Sequence, residues 1–160
     1  MFHGLKTEYD YPDEGNQKPF LFKGMVRGCC FLISSKLFIE IGLFDDNVFL
    51  YSEEWIIAKK IVDKGYFCAY EGRVKALHKE ATSTGQNGTA FQSYHLYLSS
   101  FYYLQEYCKC NSIQRFLFCA QNLISYTVKA FHNMDYRRLY KKFVKTQMEM
   151  YHKRRIKIGY

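Results

Sequence analysis

The residues of this chain best suited to chemistry lie in "FLYSEEW", Phe49 to Trp55, where Glu53 and Glu54 stand side by side between Tyr51 and Trp55. A carboxylate at a helix start beside a cleft can act as a general base. The same residues also fit a plainer arrangement, with Ser52 as an N-cap and both glutamates in the first helical turn, where the macrodipole favours negative charge. The two readings are compatible in geometry. The dipole, however, lowers a carboxylate pKa, so a working base needs Tyr51, Trp55 and bound substrate to desolvate it and raise the pKa again.

Three other groups carry weaker signals. Asp45 and Asp46 in "LFDDN" fit either a plain turn or a binding role. His78 fits a strand-end residue with an ordinary hydrogen bond as well as it fits a ligand. The six cysteines include no C-x-x-C, and Cys108 and Cys110 have no second ligand pair at zinc-finger spacing. Cys29, Cys30, Cys68 and Cys119 sit in apolar runs, as reduced cysteines do. The N-terminus has no signal-peptide pattern, and a reduced, cytoplasmic chain is expected.

The elements that must position these groups follow from the pattern. Residues 1–19 are polar and turn-rich and read as an arm. Phe20 to Ile33 reads as strand, with Gly24 and Gly28 as bulges or points of close backbone approach. Ser34 or Ser35 caps a short helix closed by Gly42, and a second helix runs from about Glu53 to Lys64, closed by Gly65. "YFCAY" and "RVKALH" read as two short strands around a turn at Glu71 and Gly72.

Beyond residue 88 the period becomes helical. Phe91, Tyr94, Leu98, Phe101, Tyr102 and Gln105 share one stripe, and Tyr136, Leu139, Tyr140, Phe143, Val144, Met148 and Tyr151 share another. Ile113 to Phe131 is apolar but too interrupted by polar residues for a membrane span. The fold class expected is α/β over residues 20–88, followed by an α-helical basic region over 89–160.

Charge separates the two parts. Met1 to Glu80 holds 11 basic and 12 acidic residues, whereas Ala81 to Tyr160 holds 12 basic and 3 acidic. Such asymmetry points to a distinct anion-facing surface in the second half. Nucleic acid is an unlikely partner, since the cations lie on amphipathic helices and no reading motif occurs. An anionic membrane surface fits better, with Arg137, Arg138, Lys141, Lys142 and Lys145 set against the apolar stripe of the last helix. That stripe could equally pack on the α/β part.

The run "VRGCCFLISSKLFIEIGLFDDNVFLYSEEW", with "GY" and "VKALHKEATSTG" after it, resembles the C-terminal half of the catalytic domain of bacterial family 2 glycosyltransferases. The likeness extends from about Gly24 to Gly85 in consistent order. It implies an incomplete mixed-sheet portion of the GT-A type, the acceptor side of an inverting enzyme that transfers a sugar from a nucleotide-sugar to a glycan or lipid-linked acceptor.

By this resemblance Glu54 takes the acceptor proton and Glu53 orients the acceptor or its neighbour. Asp45, Asp46, Trp55 and Gly28 belong to the acceptor side. His78 stands near the divalent metal, Mg or Mn, and the donor diphosphate. Two positions depart from the family pattern: Glu54 is one methylene longer than the usual aspartate, and Ile56 replaces a frequent acid. The Asp-x-Asp metal motif is absent from the sequence, so the donor-binding half is expected from elsewhere and this chain alone is not expected to transfer sugar. The alternative is a non-catalytic membrane-surface or interaction module on a remnant of the same scaffold.

Overall fold

The computed structural model describes residues 20–22, 24–26, 28–71, 73–77 and 89–152. Its elements are β1 (Phe20–Phe22), α1 (Ser35–Glu40), α2 (Glu53–Asp63), β2 (Cys68–Tyr70), α3 (Ala90–Glu106), α4 (Ser112–His132) and α5 (Met134–His152). They fall into two units. One holds β1, α1, α2 and β2; the other holds α3, α4 and α5 together with Asp46–Ser52.

In the first unit β1 and β2 pair antiparallel, with Phe20 opposite Tyr70 and Phe22 opposite Cys68. The two helices end as their sequences require. Ser34 is the N-cap of α1, its hydroxyl accepting from the Leu37 N–H at 3.2 Å. Gly42 (φ 78) and Gly65 (φ 82) take the left-handed conformation that closes α1 and α2, which a side chain would strain. Ile57, Ala58 and Ile61 of α2 bury one face against Ile41 and Cys68, with Met25, Val26, Phe31, Ile33, Leu37 and Phe38 around them. The Lys60 ammonium donates to the Leu43 carbonyl at 2.9 Å and ties α2 to the end of α1.

Two strand expectations are corrected. Among the described residues of the run to Ile33, only Phe20–Phe22 is strand; residues 28–34 are irregular and contribute Phe31 and Ile33 to the core as side chains instead. Residues 73–77 are irregular too. There Arg73 turns back on Glu71, its backbone N–H donating to Oε1 at 3.1 Å, and β2 takes its ladder from β1 rather than from a hairpin partner. The Glu71 carboxyl is held down at about 2, first by the hydrogen bond from the Arg73 side chain.

The second unit is built on rings. Phe101 and Phe143 are buried almost completely, and Tyr126 stacks on Phe143 with ring centroids 4.0 Å apart. Tyr97 meets Phe143 at 4.9 Å and stacks on Phe118 at 5.7 Å. Three tyrosine hydroxyls pair across helices: Tyr94 with Thr146 at 3.0 Å, Tyr136 with Ser93 at 2.6 Å and Tyr140 with Thr127 at 2.9 Å. Capping boxes start α3 (Thr89, Gln92) and α4 (Asn111, Gln114). Asn133 alone links α4 to α5, its side chain accepting from the Asp135 N–H at 2.8 Å. Asp46–Ser52 is held on α3 by the Ser99 hydroxyl, which donates to the Leu50 carbonyl at 2.7 Å. No helix among the described residues is long and apolar enough to cross a membrane.

The apolar stripe of α5 is therefore occupied in part. Tyr136 and Phe143 pack on Tyr126 of α4, and Phe143 also meets Tyr97 of α3, while Met148 at the far end of the stripe is exposed. The helices are joined by short connections, and stacking within one αα-hairpin needs little loop-closure entropy.

Candidate functional site

Glu53 and Glu54 occupy the first turn of α2, as the sequence requires. Ser52 is not the extended N-cap expected. Both Tyr51 (φ 69) and Ser52 (φ 65) are left-handed, a conformation that costs a non-glycine residue roughly 1–2 kcal/mol. Ser52 is also buried. Two strained residues in succession deliver the chain into α2, and such strain gathers where geometry serves function.

The two carboxylates have different surroundings. Glu54 reaches back 26 positions: its Oε1 accepts the backbone N–H of Gly28 at 3.1 Å. A Cβ on Gly28 would lie 2.3 Å from that oxygen and 2.9 Å from the Glu54 Cδ, so the contact requires glycine. The Gly28 N–H, freed from any strand ladder, thus fixes the Glu54 carboxylate. Glu53 is half-buried, and its Oε2 has no hydrogen-bond partner among the described residues. Burial pushes its carboxyl above the usual carboxylate range; a backbone hydrogen bond lowers it by less, and the Glu54 charge adds to the rise.

The remaining candidates fall as follows. Trp55 follows in the same turn of α2 and is half-buried. Asp45 is half-buried in the loop after α1, and Asp46 is exposed at the start of the segment belonging to the helical unit. Gly28 and Glu54 are brought together, 26 residues apart in the chain. His78 lies outside the described residues.

Among the described residues no three of His, Cys, Asp and Glu converge to hold the divalent metal that the resemblance implies. Cys108 is exposed and Cys110 half-buried, without a further ligand group beside them.

Sequence reasoning missed the strained Tyr51–Ser52 pair and the division of labour between the glutamates. The pair had no signal, because neither residue type favours positive φ. The division depended on Gly28, whose approach was expected but whose partner was not. An arrangement of one anchored carboxylate beside one desolvated carboxylate can bind a hydroxyl and accept its proton.

No family model matches the chain, and no solved structure matches it. Part of it is similar to N-acetylglucosaminyl-diphospho-decaprenol L-rhamnosyltransferase from two strains of Mycobacterium tuberculosis, 28% identical over 72 residues in each. Those residues are 45% of this chain and 24% of each relative. The chain spans about a quarter of the length of the curated relatives it matches, and the likeness supports a glycosyltransferase-like relationship.

Proposed function

We propose that this chain carries the acceptor side of an inverting glycosyltransferase of the family 2 kind, with an incomplete GT-A-like sheet, acting at the cytoplasmic side on a glycan or lipid-linked acceptor. In the reaction an acceptor hydroxyl attacks the anomeric carbon of a nucleotide-sugar, the bond from that carbon to the diphosphate breaks, and the nucleotide diphosphate leaves with the electron pair. Glu54 takes the hydroxyl proton. The observation that carries the reading is the Gly28 N–H to Glu54 Oε1 bond at 3.1 Å, which holds a carboxylate at the start of α2 before any substrate binds. Similarity to a rhamnosyltransferase supports the reaction class.

Trp55, Asp45, Asp46 and Gly28 form the acceptor side in this proposal. By the resemblance His78 would stand near a divalent metal, Mg or Mn, which would neutralise charge on the donor diphosphate, with the donor-binding half supplying most of that site. A second reading gives the proton to Glu53, because burial raises its carboxyl and its Oε2 has no hydrogen-bond partner among the described residues.

The test is transfer of labelled sugar from a panel of nucleotide-sugars to a polyprenyl-diphosphate sugar, with this chain joined to a donor-binding half. Loss of transfer in Glu54→Gln with Glu53→Gln mild supports the first reading, and the reverse pattern supports the second. Turnover unchanged in both variants removes the proposal, and turnover by the present chain alone removes its dependence on a donor half.

A further inference from the structure

α4 carries a second apolar surface besides the one it buries. Ile113 (71% exposed), Phe116, Leu117, Ile124 (66%), Val128 and Phe131 (72%) lie on the outer side of this helix. Their spacing of i, i+4, i+11, i+15 and i+18 for Ile113, Leu117, Ile124, Val128 and Phe131 puts them on one face. The opposite face is the one buried, through Cys119, Tyr126 and Ala130. A 21-residue helix with an apolar stripe along both its inner and outer faces has a second partner to meet.

α5 adds charge beside it. Its Tyr136 and Phe143 point between α3 and α4, and toward α3 it turns Thr146 and Lys142, whose ammonium lies 5.2 Å from the Tyr94 ring centre. The flank left on the side away from α3 is Arg137, Lys141, Val144 and Met148, at i, i+4, i+7 and i+11. Lys141, Val144, Lys145 and Met148 line a shallow groove there with Tyr140 and Glu149. The outer stripe of α4 also points away from α3, since α4 meets α3 through Phe118, stacked on Tyr97. Arg137 joins the two helices by donating to the carbonyls of Ala130 (2.9 Å) and Phe131 (2.7 Å) at the end of α4.

We propose that this two-helix face is a docking surface for an anionic lipid bilayer, with the α4 stripe sunk at the headgroup boundary and Lys141 and Lys145 over the lipid phosphates. Charge selects this occupant. Residues 89–152 carry eight Lys or Arg and three Asp or Glu, and Lys153, Arg154, Arg155 and Lys157 follow α5 in the sequence. A second copy of so basic a surface is repelled, whereas an anionic leaflet is attracted. The inference does not depend on the glycosyltransferase reading, because vesicle binding is measured without sugar transfer.

The experiment is co-sedimentation of the purified chain with vesicles of phosphatidylcholine alone and of phosphatidylcholine with phosphatidylglycerol, at low and high salt. Binding is expected to the anionic vesicles only and to weaken with salt. Changing Ile124→Gln with Phe131→Gln should abolish it with the helical circular dichroism retained. The pair Lys141→Gln and Lys145→Gln should lower the partition coefficient about thirtyfold; this charge variant decides the matter if the apolar one unfolds. Absence of binding at low salt overturns the proposal, as does binding that both variants retain. A lipid-free dimer that the apolar variant dissolves would assign the face to a second copy instead.

Discussion

The two units of this chain solve stability in opposite ways. The first is assembled from elements of 3, 6, 11 and 3 residues, too short to stand alone, around an aliphatic core of Ile41, Ile57, Ala58, Ile61 and Cys68. The second uses helices of 17, 21 and 19 residues locked by stacked rings and paired hydroxyls. About half of the first unit's described residues lie outside helix and strand, and its paired carboxylates open α2. Loops on a modest scaffold can bring Gly28 to Glu54 across a long stretch of sequence, which a regular helix cannot do. The helical unit gives up that freedom and gains two long faces, one for its own core and one outward.

The comparison breaks most readily in the helical core. Phe143, 1% exposed, touches both Tyr97 and Tyr126, so Phe143→Ala should cost about 3–5 kcal/mol. Urea unfolding should show the loss, and hydrogen exchange should place it in α3, α4 and α5 while protection in α2 is retained. Equal loss of protection in α2 would show that the two units unfold as one.

On the site side, Glu54→Gln keeps shape and removes basicity. Turnover of the chain joined to a donor-binding half should fall about 100-fold or more, with donor affinity and melting temperature unchanged. Steady-state kinetics over a range of donor concentrations separates these quantities.

Gly28→Ala sharpens the contrast further. The added methyl meets the far end of a flexible side chain rather than backbone, so Glu54 swings away at little cost in stability. Transfer should drop about tenfold or more while thermal melting shifts little, since a misplaced catalytic group is costly even in an intact fold. A large melting shift would instead make the contact a support of the fold.

The smallest effects are in pH. The Glu53 carboxyl is raised in the folded chain, so its contribution to stability is full below the unfolded value of 4.5 and is lost as pH rises through the folded value. Glu53→Gln should therefore gain on the wild type as pH is taken above 4.5, by thermal melting. His95 behaves oppositely. It packs among Phe49, Phe91 and Tyr94, and burial, then the Lys142 charge, lowers its pKa below 6.5. Its contribution is present above 6.5 and fades as pH falls through the folded value, so His95→Gln should flatten the acid side of the helical unit's melting profile.

Much of this was legible in the residues. Ser34, Gly42 and Gly65 marked helix ends correctly because capping is local chemistry, satisfied by a side chain three positions away or by a φ that glycine takes freely. The Thr89–Gln92 and Asn111–Gln114 pairs carried the same kind of information about where α3 and α4 begin. The extended run from Phe20 to Ile33 was misjudged because β propensity reports fit to a half-buried surface, and Phe31 and Ile33 found theirs without a ladder.

By itself, then, the sequence determined the helix periods, the basic bias of the second half and the pair of glutamates in the first turn of α2, since each depends on residues within a few positions of one another. Only the tertiary structure decided which glutamate is tethered and which is desolvated, because both facts depend on Gly28 and on burial that no local pattern encodes. It also decided which helix face is left outward. Packing of Tyr126 on Tyr136 and Phe143 took up part of the apolar stripe of α5 and left the outer stripe of α4 exposed.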